Sequence, residues 1–181
     1  MSQVIRGSEG LIAILVALSL VALAACLIYI YWTIHTHKLI ADALRRVSRV
    51  LCCLSMFEVL ALILQPSSFD ETRLNLIPGR DLFASTDIQT ALVNLIGNVA
   101  MFIPFGFFGP ECSTRLRKPA SLLILGLGIS SSAEMVQYIF HLGRSADVTD
   151  VLLNTVGVLL GGLLNWIIVR PVSARLVRLQ E

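Results

Sequence analysis

Carboxylate and amide side chains recur at helical spacing within three apolar runs of this 181-residue sequence. Side chains of these types can transfer protons, bind a polar ligand or hydrogen-bond between helices. Because the spacings are three and four residues, each set lies on one face of a helix. The three sets are Asn94 and Asn98; Ser130, Glu134, Gln137 and His141; and Asp147, Asp150, Asn154, Gly157 and Gly161.

The predicted depths of these side chains agree between the runs. Counting about 1.5 Å per residue from the ends of the runs gives two layers, roughly 5 and 10 Å below the surface. The deeper layer holds Asn98, Glu134 and Asn154, and the shallower layer holds Asn94, Gln137 and Asp150. We therefore predict a polar pocket that opens to the outer side of a membrane, with His141, Arg144 and Asp147 at its mouth. Its predicted binding residues are Asn94, Asn98, Glu134, Gln137, Arg144, Asp147, Asp150 and Asn154.

The polar sets have a functional and a structural interpretation. Glu134 and Asp150 are the candidates for acid–base chemistry, since a buried carboxyl group can hold a proton near neutral pH. Alternatively, the amides and hydroxyls join the helices by hydrogen bonds, and Arg144 pairs with Asp147 or Asp150. The lone Glu58 fits a structural and a functional role equally well.

The composition of the sequence indicates what kind of protein holds these residues. The sequence is 56% hydrophobic and 14% charged, with a mean hydropathy of +0.81. A soluble domain carries about 25% charged residues, so this composition indicates a membrane protein. The net charge of +2 gives no indication of a nucleic-acid partner. The four cysteines have neither disulfide-framework nor zinc spacing, and we interpret them as packing residues. We expect no metal and no cofactor.

Uncharged or weakly charged apolar runs predict an all-α bundle of transmembrane helices. The five predicted spans form a single membrane domain over residues 1–181 and cover residues 11–32, 47–64, 91–109, 119–141 and 148–169. The uncharged run of the fifth span is followed by Arg170 and Pro171. The glycines at positions 157 and 161 should allow close contact between helices.

Basic residues set the expected orientation, because cytoplasmic loops are enriched in lysine and arginine. One set of loops holds ten: Lys38, Arg45, Arg46, Arg49, Arg115, Arg117, Lys118, Arg170, Arg175 and Arg178. The other set holds four: Arg6, Arg73, Arg80 and Arg144. We therefore predict the N-terminus outside and the C-terminus in the cytoplasm. A lipoprotein cleavage box at Leu23–Cys26 is the alternative, but the apolar run continues to Trp32 and cleavage would invert the basic loops.

Three blocks of sequence, over about residues 72–165, carry recognisable motifs. Asn94-Leu-Ile-Gly-Asn98 followed by Phe102-Ile-Pro-Phe-Gly106 has the pattern N-x-x-x-N and F-x-P-F-G. Ser132-Ala-Glu134 with Gln137, and then Arg144 to Gly157, has the pattern S-x-E-x-x-Q and R-x-x-D-x-x-D-x-x-x-N-x-x-G. Asn75-Leu-Ile-Pro78 has the short pattern N-L-x-P. In these blocks the sequence resembles the VanZ-like family of membrane proteins.

The resemblance implies a multi-pass protein of the bacterial plasma membrane. The family's namesake accompanies vancomycin-resistance operons and gives low-level resistance to teicoplanin-type glycopeptides. Partners implied are membrane lipids and either a lipid-linked cell-wall precursor or the antibiotic itself.

Three classes of function remain open. The first is a non-enzymatic protein that binds or shields a headgroup in the pocket. The second is a membrane enzyme that modifies a lipid-linked substrate with Glu134 and Asp150, although the sequence shows no nucleophile–base pair. The third is a small proton-coupled transporter that uses Glu58 and Glu134, although no inverted repeat is visible. We favour the first class.

Overall fold

The computed structural model describes residues 40–63, 73–80, 88–141 and 145–178, together with Ala24, Ile28 and Tyr31. These ranges are mostly helical, as the composition predicts. In chain order the elements are α1 (Ile40–Ile63), β1 (Leu74–Asn75), α2 (Ile88–Cys112), a 3-10 turn (Thr114–Arg117), α3 (Pro119–Ile139), β2 (Ala146–Asp147) and α4 (Val148–Arg178).

Three of the described helices are long and apolar enough to cross a membrane. These segments are Ala91–Cys112, Pro119–Ile139 and Val148–Val169, and they coincide with the third, fourth and fifth predicted spans. The second predicted span falls on α1, which is helical but is not among the three. The first predicted span lies outside the described residues except for three isolated positions. The protein is therefore a membrane protein, while the total of five spans and their orientation stay predictions.

Prolines do not end two of the described helices. The fifth predicted span, 148–169, matches the apolar segment Val148–Val169, and α4 continues beyond it through Pro171 to Arg178. α2 likewise contains Pro104 and Pro110 and extends three residues beyond the predicted boundary at 109. A proline removes one backbone hydrogen bond, and the helix continues where its neighbours keep theirs.

The closest packing in the described bundle joins α2 to α4 through glycines on both helices. A Cβ atom at Gly157 or Gly161 would overlap with the carbonyl oxygen of Val99 or Ile103, respectively. A Cβ atom at Gly106 would overlap with the carbonyl oxygen of Val158. The predicted close contact of the 157–161 pair is confirmed, and it lets the two backbones touch without side chains between them.

These contacts also give the directions of the helices. Val99 on α2 contacts Gly157 on α4, and four residues further along each helix Ile103 contacts Gly161. Because the residue numbers rise together, the two helices are parallel. α3 runs antiparallel to α4, because Gly126 lies against Thr155 while Leu122 lies against Gly162. The alternating order of directions is the one that three successive membrane spans require.

The apolar core lies where α1 joins the three apolar helices. Its buried members are Val59, Phe102, Phe105, Leu122, Ala133 and Val158. α1 packs mainly on α2. Cys52, Cys53 and Cys112 are free thiols, and the thiol of Cys112 lies 3.4 Å from the carbonyl oxygen of Phe108. Glu58 is half-buried on α1.

A short parallel pair of strands caps the bundle at the N-terminal end of α4. Leu74 pairs with Ala146, and Asn75 pairs with Asp147. The backbone N–H of Ala146 also donates to the carbonyl of Arg73 at 2.8 Å. The sequence analysis did not predict this pair, since two residues carry no period that distinguishes a strand.

Candidate functional site

Hydrogen-bonded polar side chains converge at the N-terminal end of α4. They come from β1, α2, α3, β2 and α4, and most of them are buried between the helices. We call them the polar cluster: Asn75, Asn98, Ser130, Glu134, Asp147, Thr149, Asp150 and Asn154.

Asp147 is the N-cap of α4. Its carboxylate accepts a 2.7 Å hydrogen bond from the backbone N–H of Thr149, the bond by which Asp and Asn start helices. Its second oxygen accepts from the side-chain amide of Asn75 at 3.1 Å. The residue is 6% exposed, so both oxygens are held inside the protein.

Glu134 completes this helix start from the neighbouring helix. Its carboxylate accepts a 3.0 Å hydrogen bond from the backbone N–H of Asp147. In a capping box the third helical residue, here Asp150, supplies that acceptor. Because Glu134 supplies it instead, α3 and the start of α4 are joined by a charge-assisted bond.

Asp150 and Asn154 connect α4 to its two neighbours. The side-chain amide of Asn98 on α2 donates to the carboxylate of Asp150. The amide of Asn154 donates to the hydroxyl of Ser130 on α3 at 2.8 Å. These bonds are of the kind that the interhelical interpretation predicts, and they join α4 to α2 and to α3.

The predicted layers are corrected in two respects. Asn98, predicted in the deeper layer, bonds to Asp150, which was predicted in the shallower one. Ser130 rather than Glu134 is the α3 partner of Asn154, so α3 stands about one turn away from the predicted height. The contacts of Gly126 with Thr155 and of Leu122 with Gly162 fix this height. Counting residues from the ends of apolar runs cannot detect such a shift, because it depends on how two helix surfaces fit together.

One buried atom of the cluster has no partner. Among the buried side-chain nitrogen and oxygen atoms of the described residues, Oδ1 of Asn154 alone lacks a hydrogen bond. Asn154 is 3% exposed. A buried acceptor without a donor costs about 1–3 kcal/mol, so its persistence calls for an explanation.

The other predicted binding residues have different surroundings. Gln137 is buried on α3. Asn94 is exposed on α2 although it lies four residues before Asn98, and its side chain has no hydrogen bond to another described residue. His141 is exposed beyond the end of α3, with a positive φ of 49°. Arg144 lies outside the described residues.

Two residues of the polar cluster were missed as site residues by the sequence analysis. Asn75 was noticed only as part of the N-L-x-P likeness, and Thr149 was not noticed at all. The hydroxyl of Thr149 accepts a 2.9 Å hydrogen bond from the N–H of Gly79. Gly79 has a φ of 78°, which side-chain-bearing residues rarely adopt. The glycine beside Pro78 was the signal that a turn there has a fixed shape.

A second polar contact lies at the opposite end of the bundle. Asn165, which is 1% exposed, donates to the carbonyl oxygen of Phe107 at 2.9 Å and to the carboxylate of Glu111 at 3.4 Å. Glu111 in turn lies 3.9 Å from the guanidinium of Arg117. The sequence analysis did not single out this group, which joins α2 to α4 below the glycine contact.

The chemistry available to the polar cluster is that of amide and hydroxyl groups and of carboxyl groups that accept hydrogen bonds. Within the described part of the chain, no three histidine, cysteine or acidic side chains are grouped so that they could hold a metal ion.

Comparison with known proteins identifies the family. The model of the VanZ/LLP1 family matches residues 20–169. The chain belongs to the VanZ/LLP1 family. It is also similar to Protein VanZ of Enterococcus faecium, with 35% identity over 111 residues. That alignment covers 60% of this chain and 62% of the relative, which is less than two thirds of its length. No solved structure matches the chain. The VanZ/LLP1 match includes all three apolar helices and the whole polar cluster.

Proposed function

We propose that this protein lowers susceptibility to teicoplanin-type glycopeptides from the bacterial plasma membrane, as a multi-pass protein with five spans. Its polar cluster faces the outside and binds or shields the headgroup of a lipid-linked cell-wall precursor or of the drug. Membership in the VanZ/LLP1 family supports the proposed effect on teicoplanin-type glycopeptides. The polar cluster supports the proposal that the protein acts by binding or shielding a headgroup.

The observation that carries this proposal is the buried group of acceptor oxygens on three apolar helices, with Oδ1 of Asn154 unpaired. Carboxylates and amide oxygens accept hydrogen bonds, so they suit a headgroup rich in hydroxyl or ammonium donors. Glycopeptides and cell-wall precursors both carry sugar hydroxyls. Arg144, which follows the cluster's α3 residues in the sequence, would add an anion-binding group with a planar fork of donors.

The test is teicoplanin susceptibility of a glycopeptide-sensitive bacterium that expresses the full chain. Glu134→Gln and Asp150→Asn keep the size of each side chain but remove its charge. Both should fold and yet lose drug protection, and Arg144→Lys should lose it as well, since lysine cannot bind bidentately. Immunoblotting of membranes at equal abundance separates loss of activity from loss of protein.

The matched control is Glu111→Gln, the same chemical change at the opposite end of α2. This variant should protect as well as the wild type, because Glu111 lies far along α2 from Asn98. If Glu134→Gln and Arg144→Lys also protect fully, the pocket proposal is wrong and the polar cluster only joins the helices.

Mass analysis distinguishes binding from enzymatic modification. Purified protein in lipid nanodiscs is incubated with the undecaprenyl-linked disaccharide-pentapeptide precursor. A precursor of unchanged mass that copurifies with wild type, and not with Glu134→Gln, supports binding. A product of altered mass would instead assign the protein to the enzymatic alternative.

A further inference from the structure

In the segment of residues 73–80, a polar side chain faces the protein and apolar side chains face outward. This is the reverse of the arrangement expected for a loop in water. Asn75 is 6% exposed and faces the polar cluster. Leu74 and Leu76, on the other side of the extended chain, are 54% and 69% exposed, and Ile77 is 60% exposed. A strand alternates its side chains between two faces, and the face on the protein here is polar while the outer face is apolar.

The height of this segment is fixed by its pairing with β2. Asn75 pairs with Asp147, and the next residue, Val148, begins the apolar segment of α4 that could cross a membrane. Leu74, Leu76 and Ile77 therefore stand at the level where the apolar span begins. Side chains at that level meet the boundary between lipid headgroups and acyl chains.

The backbone of the segment needs little water. The N–H of Ile77 donates to the side chain of Asn75, that of Gly79 to Thr149, and that of Arg80 to the carbonyl of Ile77. Pro78 has no N–H group. From Ile77 to Arg80, every backbone donor has a partner within the protein, which is the condition for irregular backbone at membrane depth.

Charge at both ends of the segment fits the same environment. Arg73 and Arg80 are exposed and enclose the three apolar side chains. Arginines beside an apolar stretch are suited to the phosphate groups of a lipid surface while their neighbours enter the acyl layer.

We infer that residues 73–80 form a lipid-contacting element, with Leu74, Leu76 and Ile77 inserted among the acyl chains of the leaflet that surrounds the N-terminal end of α4. The partner is the phospholipid bilayer itself. The element would place a membrane-embedded edge directly beside Asn75 and Asp147, so that a lipid-borne molecule can approach the polar cluster sideways from the leaflet. The lipid contact is independent of any effect on antibiotics.

The test measures the surroundings of single nitroxide labels on the full chain in phosphatidylcholine–phosphatidylglycerol vesicles. Cys26, Cys52, Cys53 and Cys112 are replaced by alanine, and Leu76→Cys or Ile77→Cys carries the label. Collision rates with oxygen, which concentrates in acyl chains, are compared with those of a water-soluble nickel chelate. Ile124→Cys, 71% exposed on α3, is the lipid reference, and Thr114→Cys, exposed in the 3-10 turn, is the water reference.

We expect labels at 76 and 77 to resemble the label at 124, with oxygen collisions several-fold above those at 114 and low collision with the chelate. Two outcomes overturn the inference. Frequent chelate collisions, as at 114, would place the segment in water. Low collision rates with both reagents would show that another part of the protein covers it.

Discussion

Single hydrogen bonds decide how the first turn of α4 is satisfied. Asp147 caps its own helix, and Glu134 accepts the N–H that a residue of the same helix accepts in an ordinary capping box. The sequence predicted that both acids belong to one site, but not this division of roles. Residue spacing defines a helical face. The choice between Asp150, three residues along the same helix, and Glu134, on the neighbouring helix, depends on the final packing.

Replacing Asp147 tests this capping arrangement. Asp147→Ala removes the cap and leaves the buried amide of Asn75 without its acceptor, so we expect a loss of about 2–4 kcal/mol of stability. Asp147→Asn is the matched variant, since asparagine is also a good N-cap, and its loss should be clearly smaller. Apparent melting temperatures of the purified proteins in detergent provide the measurement. Equal melting temperatures for Asp147→Ala and wild type would contradict the capping role.

Helix contacts determine where the polar residues meet. α2 and α4 approach until backbone touches backbone at Gly106, Gly157 and Gly161. The close contact of Gly157 and Gly161 was predicted from the sequence, whereas that of Gly106 was not. The height of α3 was not, because apolar run lengths are uncertain by a few residues while side-chain fit between helices is not encoded in run length. That is why Ser130, and not Glu134, is the partner of Asn154.

A leucine at Gly161 should separate α2 from α4. Its side chain would overlap with the backbone at Ile103 and Phe107, and overpacking of this kind costs about 1–3 kcal/mol or more. Gly128→Leu is the matched control, because a Cβ atom there meets no other atom within 4 Å. We expect Gly161→Leu to reduce the yield of monodisperse protein in detergent and Gly128→Leu to leave it unchanged. Similar yields for the two variants would mean that the glycine contact does not hold the helices.

In the described part of the molecule, a largely buried polar cluster lies at one end of an apolar helical body. Composition alone indicated a membrane protein, and run length located three apolar helices to within a few residues. The strand pair and the element formed by residues 73–80 could not be predicted, since both depend on contacts between parts of the chain some 70 residues apart. The side of the membrane on which this end lies rests on the basic residues of the loops.

Labelling of introduced cysteines tests the orientation. Two single-cysteine variants are needed. In the first, the native cysteines are replaced and Ser68→Cys should react with a membrane-impermeant maleimide added to intact cells. In the second, only native Cys112 at the C-terminal end of α2 is kept, and it should react only after the cells are opened. The reverse pattern would place the polar cluster on the cytoplasmic side, and an outward-facing pocket would be excluded.

The hydrogen bond from the start of α4 to Glu134 of α3 has a consequence for biogenesis. Ribosomes release the chain from the N-terminus, so Asn75 and Glu134 reach the membrane before Asp147 has been made. Their side chains lack this partner until the start of α4 is synthesised, and the surface of α2 that contacts Gly157 and Gly161 is likewise uncovered until then. α4 therefore completes the bundle. Until it inserts beside α2 and α3, these helices carry polar side chains for which lipid offers no hydrogen-bond partner. Nascent chains stalled after α3 should depend most strongly on insertion chaperones.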